Sequence, residues 1–485
     1  MQKIDFGSRH ALYNVEATRR IEHLAQAALP AHTLMQRAGL AVAQLALALT
    51  PHARRIWIAC GPGNNGGDGL EAAIHLLHWG KAPVVTWLGT PDKAPPDAAD
   101  SYRRALQAGV SFTDTAPQDF DLCIDALLGV GTDNRAPEGR MAAWIGLMNA
   151  SASPVLAVDL PTGLQADTGA VSSCSVKAQH TLSLLTLKPG LFTAHGRDAA
   201  GTVWLDDLSA DDIPYANPQP EVPCAWLAGA PKVVKRPHAS HKGSFGDVAV
   251  VGGAPGMTGA ALMAASAALH SGAGRVFVGL LDEGAMRVDT SQPDLMFRSI
   301  QALDFPALTV VCGCGGGDLV RAQLPKILSS AMRVVIDADA LNAIANDTQL
   351  QTLLSARGQR AAATILTPHP LEAARLLNTT VAAVQLDRLA AARQLALRFD
   401  CMVVLKGSGT LIAAPEQTLV INPTGNARLA SAGTGDVLAG MIGAHLAGGL
   451  DAFEAASQAV YRHGQRADQW PDDQHLTAGA LSQSL

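Results

Sequence analysis

The chain has 485 residues, too many for one ordinary hydrophobic core, so two or three domains are expected. Apolar residues make up 48% of the chain and charged residues 16%, which excludes an intrinsically disordered protein. The formal net charge of -6, without a block of basic residues, argues against nucleic-acid binding.

The N-terminus and the cysteines indicate a soluble cytoplasmic protein. The first ten residues lack a charged-then-apolar signal pattern, and the apolar run 38–49 is too short to cross a bilayer and predicts a buried helix. Seven scattered cysteines argue against a disulfide framework and favour a reducing cytoplasm. Cys312 and Cys314 lack a second pair at zinc-type spacing, so we expect two small core residues there.

Short apolar strands alternate with helical segments in both halves of the chain, which predicts parallel sheets covered on both faces. In the first half the predicted strands are 56–60, 84–88, 122–125, 155–159, 181–187 and 202–205, and the predicted helices are 68–79 and 94–108. In the second half the predicted strands are 247–251, 276–280, 308–312, 334–337, 363–366 and 402–405, and the predicted helices are 259–270 and 436–446. Acidic residues and prolines break the pattern between 206 and 237. We therefore predict an α/β protein with two three-layer domains, 1–219 and 225–485.

Three segments of the first domain follow predicted strands. The glycine-rich segment 61–69 precedes a helix, whose N-terminal amides suit an anion such as a phosphate. It contains GxGxxG, but no acidic residue ends the second strand, which disfavours a hydride-transferring Rossmann domain. Asp125 and Asp159 end two other strands, and Thr162 follows closely, so all should meet at the ligand-binding edge of one sheet. Each residue alone could be a cap or turn residue, but the set favours a site.

Close together, Asp125 and Asp159 would repel each other unless a cation or a proton lay between them. The segments GPGNNGGDG and VDLPTG, with the loop after Asp125, resemble the NAD(P)H-hydrate epimerase domain over roughly residues 10–215. That resemblance implies interconversion of the R and S hydrates at C6, with a potassium ion bound by Asn65, Asp125 and Thr162. It also implies that Asp159 contacts the substrate, and we take it as the candidate proton carrier. The implied substrate contacts are Asn64, Asn65, Gly66, Gly67, Asp68, Gly129, Val130, Gly131, Thr132, Asp133, Asn134, Arg135 and Asp159.

The segment GTGD at 433–436 carries the most specific signal of the second domain. Gly433 and Gly435 would expose amides at a helix N-terminus and form an anion hole for a phosphoryl group. Asp436 in the first turn could accept the proton of a hydroxyl that attacks the phosphate. The alternative is that Asp436 is only a favourable first-turn charge.

The segments HKGSFG, DADALN, TPHPLEAARLL, LKGSGT and GTGDVLAG resemble the ribokinase-like NAD(P)H-hydrate dehydratases that use ADP or ATP, over roughly residues 235–480. The implied contacts to the hydrate are Ala260, Gly315, His369 and Asp436. The implied contacts to the nucleotide are Lys406, Gly407, Ser408, Gly409, Thr410 and Gly435. The family usually has GPGLG where this chain has GCGGG at 313–317, and His369 could equally cap the helix that follows.

Together the two resemblances imply a ribokinase-like dehydratase fused to an epimerase, which repairs NADHX and NADPHX with ADP, accompanied by Mg²⁺, as co-substrate. ADP would give AMP and phosphate. One alternative is an ordinary small-molecule kinase, such as one acting on hydroxymethylpyrimidine. Another is a first domain that serves only as a scaffold or partner-binding module. We expect small-molecule substrates, no nucleic-acid or membrane partner, and a homo-oligomer.

Overall fold

A computed structural model describes residues 1–130, 136–210, 221–232, 235, 237–282 and 286–485. The chain forms two compact units, the first of Met1–Asp5 and His10–Ala225 and the second of Phe6–Arg9 and Trp226–Leu485. Each unit contains a largely parallel sheet flanked by helices, so the predicted α/β fold class is confirmed. Within the described ranges no helix is both long and apolar enough to span a membrane.

The first unit is built on a sheet in the order β1-β9-β8-β7-β6-β3-β4-β5, in which only the β1–β9 pair is antiparallel. Its strands are β1 (Gln2–Lys3), β2 (His10–Leu12, outside this sheet), β3 (Arg55–Cys60), β4 (Ala82–Trp87), β5 (Ser111–Phe112), β6 (Leu122–Ala126), β7 (Val155–Val158), β8 (His180–Leu184) and β9 (Thr202–Asp206). Its helices are α1 (Val15–Ala28), α2 (Thr33–Leu49), α3 (Asn64–His78), α4 (Pro96–Ala108), α5 (Gly139–Ala150) and α6 (Gly196–Ala199). From β3 the chain adds β4 and β5 on one side of that strand, and it then adds β6, β7, β8 and β9 in turn on the other side. A crevice therefore opens at the carboxyl ends of β3 and β6.

Helix α3 begins four residues before the predicted position, at Asn64 instead of Asp68. Glycine is a poor helix former, so the run of glycines hid the first turn from a periodicity argument. Gly66 is required in that turn because a Cβ there would lie 2.0 Å from the carbonyl oxygen of Gly61. The predicted glycine-rich turn is thus largely the beginning of the helix itself.

The second unit is built on a sheet in the order β13-β12-β11-β14-β15-β16-β17-β18-β19-β10. Its strands are β10 (Ala225–Leu227), β11 (Asp247–Gly252), β12 (Arg275–Leu280), β13 (Met296–Phe297), β14 (Thr309–Cys312), β15 (Arg333–Ile336), β16 (Ala363–Leu366), β17 (Met402–Leu405), β18 (Leu411–Ala414) and β19 (Gln417–Ile421). The strands from β11 to β17 pair in parallel, whereas β18 and β19 form an antiparallel extension that was not predicted. Successive strands are added on one side of β11 as far as β13 and on its other side from β14 onward, so the strand order reverses between β11 and β14 and places a second crevice there.

Helix α14 (Thr434–Ala447) fills the core of the second unit and is buried over nearly its whole length. The other helices are α7 (Thr258–His270), α8 (Leu324–Ser330), α9 (Ala338–Ala345), α10 (Thr348–Ser355), α11 (Pro370–Leu377), α12 (Val381–Leu386), α13 (Arg388–Phe399), α15 (Ala452–Asp468) and α16 (Ala478–Gln483). Gly440 allows α14 to approach α7 closely, because a Cβ there would lie 2.0 Å from the carbonyl oxygen of Ala264. This packing fixes the N-terminus of α14.

Candidate active sites

A cavity of about 500 Å³ opens in the first unit at the carboxyl ends of β3, β6, β7 and β8. Six of the residues predicted to contact substrate line it, namely Asn64, Asn65, Asp68, Gly129, Val130 and Asp159. Gly66 and Gly67 are instead buried in the first turns of α3, where they pack against Gly61 and Met35. Gly131, Thr132, Asp133, Asn134 and Arg135 lie outside the described residues.

Asp159 follows β7 with a φ of 65°, in the left-handed region that is strained for a residue with a side chain. Its carboxylate oxygen Oδ1 accepts hydrogen bonds from Lys188 Nζ at 2.5 Å and from the amide of Leu184 at 3.3 Å. The other oxygen, Oδ2, accepts one from the amide of Val130 at 3.1 Å. Asp159 is 6% exposed, so its carboxylate has lost most of its hydration. The ion pair with Lys188 compensates for much of that loss.

Asp125 is fully buried beside Thr162, as their predicted proximity requires. It accepts hydrogen bonds from the Thr162 amide at 2.8 Å, the Thr162 hydroxyl at 2.7 Å and the Leu127 amide at 3.2 Å. Burial raises the pKa of Asp125 to about 6, although these hydrogen bonds act in the opposite direction. The expected repulsion between Asp125 and Asp159 is therefore moderated at each carboxylate separately, by hydrogen bonds at one and by Lys188 at the other.

Asn65 faces Asp159 across Gly129. A Cβ on Gly129 would lie 3.0 Å from Asn65 Oδ1 and 3.0 Å from Asp159 Oδ2, so only glycine leaves this space open. The buried Asn65 Nδ2 has no hydrogen-bond partner among the described residues. This donor is therefore available to a group bound in the cavity.

Sequence reasoning missed Lys188 and Glu22, both of which line the cavity. Burial, followed by the charge of Asp159, raises the pKa of Glu22, and the same two causes raise the pKa of Asp68 well above its ordinary value. Lys188 could have been found, because a lysine inside the apolar run LSLLTLKPGL is unusual. Glu22 gave no comparable signal, since it lies on α1, which precedes the parallel strands of the sheet.

In the second unit, Asp436 lies in the first turn of α14, behind Gly433, whose φ is 90°. Ligand atoms of Asp436, Asp337 and Cys314 lie within 4.8 Å of one another. Burial, and then the charge of Asp337, raises the pKa of Asp436 to about 7. A carboxyl group with such a pKa can accept a proton near neutral pH and release it again.

Lys406 follows β17 and places its ammonium group between Asp337 and the start of α14. Lys406 Nζ lies 2.7 Å from Asp337 Oδ1, which also accepts a hydrogen bond from the Thr367 hydroxyl at 2.7 Å. A Cβ on Gly435 would lie 3.2 Å from the same Nζ. Burial alone would lower the pKa of Lys406, but the neighbouring carboxylates, Asp337 first, raise it. A cation beside a helix N-terminus is suited to bind phosphate.

The other predicted residues of the second unit lie on neighbouring loops. Gly315 has a φ of 57°, and a Cβ there would lie 2.8 Å from the Cβ of Ala260, so these two are in contact range. His369 caps α11: its Nδ1 accepts hydrogen bonds from the amides of Leu371 and Glu372. The capping alternative is thus observed, although the His369 side chain remains 46% exposed and open to a ligand. The remaining predicted residues, Gly407, Ser408, Gly409 and Thr410, form the loop between β17 and β18.

Asp337 and Arg388 were not predicted as site residues. Asp337 directly follows β15 and begins the segment DADALN. This position at the carboxyl end of a predicted strand could have identified it as a site residue. Arg388 is buried and donates hydrogen bonds to the carbonyl oxygens of Leu405 and Lys406, which anchors the loop that follows β17. Cys314 is a buried core residue, as expected, and its Sγ lies within 4.8 Å of a carboxylate oxygen of Asp436.

The fold and the two sites together define an α/β enzyme of two units. In the second unit, Lys406 and Asp436 lie together at the N-terminus of α14. A family profile described as NAD(P)H-hydrate dehydratase matches residues 248–485, and one described as YjeF-related protein N-terminus matches residues 31–190. The bifunctional NAD(P)H-hydrate repair enzyme Nnr of Escherichia coli is 35% identical over 494 residues, covering 96% of this chain and 91% of the relative. The chain therefore belongs to the family of bifunctional NAD(P)H-hydrate repair enzymes.

Relatives of the second unit alone are also found. The ADP-dependent (S)-NAD(P)H-hydrate dehydratase of Neisseria meningitidis is 45% identical over 260 residues, covering 52% of this chain and 86% of the relative. A crystal structure of the ADP/ATP-dependent NAD(P)H-hydrate dehydratase from Bacillus subtilis, co-crystallised with ATP and Mg²⁺, is 31% identical. It covers 52% of this chain and 91% of its own, with a TM-score of 0.44.

Proposed function

We propose that the chain repairs hydrated NAD(P)H in two steps. The first unit interconverts the R and S hydrates, and the second unit dehydrates the S hydrate at the expense of ADP, giving AMP and phosphate. Membership of the repair-enzyme family supports both activities. The observation that carries the proposal is Asp436, with its pKa near 7, in the first turn of α14 beside Lys406.

Dehydration begins as phosphoryl transfer. The C6 hydroxyl of the S hydrate attacks the β-phosphorus of ADP and passes its proton to Asp436, while the bond to the α-phosphate oxygen breaks and AMP departs. Lys406 and the first amides of α14 stabilise the negative charge on the transferred group. The C6–O bond then breaks with its electron pair on phosphate, the departing phosphate takes the proton that C5 loses, and the C5–C6 double bond is restored.

Epimerisation needs only a movable proton. Asp159 takes the proton of the C6 hydroxyl as the C6–N1 bond opens, and the electron pair of that bond moves onto N1, where the conjugated carboxamide stabilises it. After rotation about C5–C6, N1 attacks the other face of the new carbonyl carbon. The proton then returns from Asp159 to the oxygen, and the opposite epimer results.

A potassium ion in the first unit stays a proposal, with Asn65, Asp125 and Thr162 as ligands. The donor set fits, because all three offer oxygen, the ligand that hard cations prefer. Asp125 accepts three hydrogen bonds from described groups, and a carboxylate offers about four lone-pair positions, so one remains. Bound there, the cation would supply positive charge that holds the 127–130 loop against Asp125.

ADP is proposed to bind with Mg²⁺ at the loop Lys406, Gly407, Ser408, Gly409 and Thr410 and at Gly435. Mg²⁺ usually takes most of its ligands from nucleotide phosphates and water, so ADP would bring the ion as part of the co-substrate. Asp337 is the acidic residue nearby that could hold the ion, while Asp436 serves as the base. A homo-oligomeric state and a cytoplasmic location stay predictions.

The deciding experiment uses a mixture of R and S hydrates. The full chain and ADP are added, and the near-ultraviolet absorbance of the reduced nicotinamide is followed together with AMP and phosphate. We expect the absorbance to return in full, with one AMP per nicotinamide restored. Accumulation of a stable phosphorylated product would instead indicate an ordinary small-molecule kinase. A return limited to the S portion would indicate that the first unit is not an epimerase.

A further inference from the structure

Lys188 lies on the segment that follows β8, and its ammonium group is completely buried. It donates hydrogen bonds to Asp159 Oδ1 at 2.5 Å, to the carbonyl oxygen of Leu184 at 2.8 Å and to the hydroxyl of Ser183 at 3.3 Å. A buried ion pair is rarely more stabilising than apolar side chains of the same volume. Stability alone therefore gives a weak account of a lysine at this position.

The two oxygens of Asp159 have different surroundings. Oδ1 accepts hydrogen bonds from Lys188 and from the amide of Leu184. Oδ2 lies beside Gly129, on the loop that lines the cavity, and accepts one amide hydrogen bond. The lysine thus engages one oxygen and leaves the other directed at the space a substrate would occupy.

The groups around Asp159 are mostly acidic. Glu22, Asp68 and Asp97 line the same cavity, with Arg19 and His23 on the exposed side of α1. Lys188 is the buried cation among the described lining residues, and it contacts Asp159 and none of the other acids. Its charge acts most directly on this carboxylate, and at longer range it also acts to lower the pKa of Glu22.

We propose that Lys188 is the positioning residue of the epimerisation site, holding Asp159 with Oδ2 towards the cavity and supplying the counter-charge that keeps this carboxylate able to accept a proton. The proposal rests on the role of Asp159 proposed above. Lys188 does not itself meet the substrate, because its side chain has no exposed surface. It acts through Asp159.

The test compares Lys188→Met, Lys188→Arg and a matched control, Lys177→Met, in the full chain. Lys177 is an exposed lysine of the same unit. Epimerisation is followed by chiral separation of the hydrates, and dehydration of pure S hydrate reports on the second unit. We expect Lys188→Met to lower kcat for epimerisation by about 10- to 100-fold with little change in KM, and Lys188→Arg to recover part of the loss. Lys177→Met should match the parent enzyme.

A pH profile separates positioning from a structural role. Without the ammonium group the carboxylate takes up a proton more readily, so the acid limb of kcat/KM for epimerisation should move to higher pH in Lys188→Met and stay in place in Lys188→Arg. An unchanged profile in Lys188→Met, at full activity, would overturn the proposal.

A double variant keeps the test decisive if Lys188→Met does not fold. In Asp159→Asn with Lys188→Met both partners are neutral, so no unpaired charge is buried. If Lys188 acts only through Asp159, the double variant is no slower than Asp159→Asn alone. Independent, multiplied losses would overturn the positioning role. Full epimerisation by Asp159→Asn would instead refute the proposed role of Asp159 itself.

Discussion

Replacing Asp436 by Asn should make the second unit inactive and more stable at the same time. Loss of a general base typically lowers a rate by about 100- to 10,000-fold, so nucleotide-dependent dehydration should fall by this factor. Epimerisation should survive, because its residues belong to the other unit. In the parent enzyme, a base whose pKa is about 7 should make dehydration rise about tenfold between pH 6 and pH 8.

The stability change follows from the same pKa. Folding raises the pKa of Asp436 from 3.8 to about 7, so the folded state holds a proton that the unfolded chain releases. This group therefore destabilises the fold increasingly as pH rises from about 4 to 7, by on the order of 4 kcal/mol at pH 8 and about 2 kcal/mol at pH 5. Asn has no proton to release, so Asp436→Asn should raise the melting temperature of the second unit more at pH 8 than at pH 5.

Thermal melts at the two pH values check this result, with Asp318→Asn as an exposed control in the same unit. The control should change neither dehydration nor the pH dependence of melting. Near-normal dehydration by Asp436→Asn would refute its role as base. A stability gain that is equal at both pH values would refute the assigned pKa, whatever the activity.

Four further results are expected. Asp159→Ala should dehydrate the S hydrate and leave the R hydrate unconsumed. Rapid consumption of both epimers by this variant, corrected for spontaneous epimerisation, would contradict this. Gly129→Ala should slow epimerisation at least about tenfold by crowding Asn65 and Asp159, and should spare dehydration, as separate assays of the two steps would show. Replacing potassium by a larger organic cation should slow epimerisation and leave dehydration unchanged. This potassium dependence should be weaker in Asp125→Ala than in the parent enzyme. Equal epimerisation rates of the parent enzyme in both salts would refute the proposed potassium site. ADP should outperform ATP in a side-by-side rate comparison, and a clear preference for ATP would reverse the assignment.

The sequence allowed the positions of most parallel strands to be predicted, because buried strands are short apolar runs bounded by glycine and polar residues. It failed where local composition opposes the final structure. Helix α3 was placed too late because its first turn is rich in glycine, and α1 was not predicted at all. The antiparallel strands β18 and β19 were missed because the alternation pattern predicts only parallel units.

Among the candidate site residues, those in glycine-rich motifs or directly after a strand were predicted, whereas the charged partners of Asp159 and Lys406 were not. Asp159 was predicted from its place after a strand, whereas its partner Lys188 lies 29 residues later. Lys406 and Asp337 are 69 residues apart and meet only because β15, β16 and β17 are neighbours. A motif describes one segment of chain, but a charge pair depends on the strand order, which one sequence does not reveal.

The close approach of α14 to α7 at Gly440 has a consequence for engineering. The helix that presents Asp436 is also a central part of the core, so a substitution along it changes folding and chemistry together. The loop at 313–317 shares this double duty, because Cys314 belongs to the same core, whereas Gly407 and Ser408 in the loop at 406–410 are exposed. Attempts to change the nucleotide preference should therefore begin at exposed positions of the 406–410 loop, such as Ser408, and leave the helix intact.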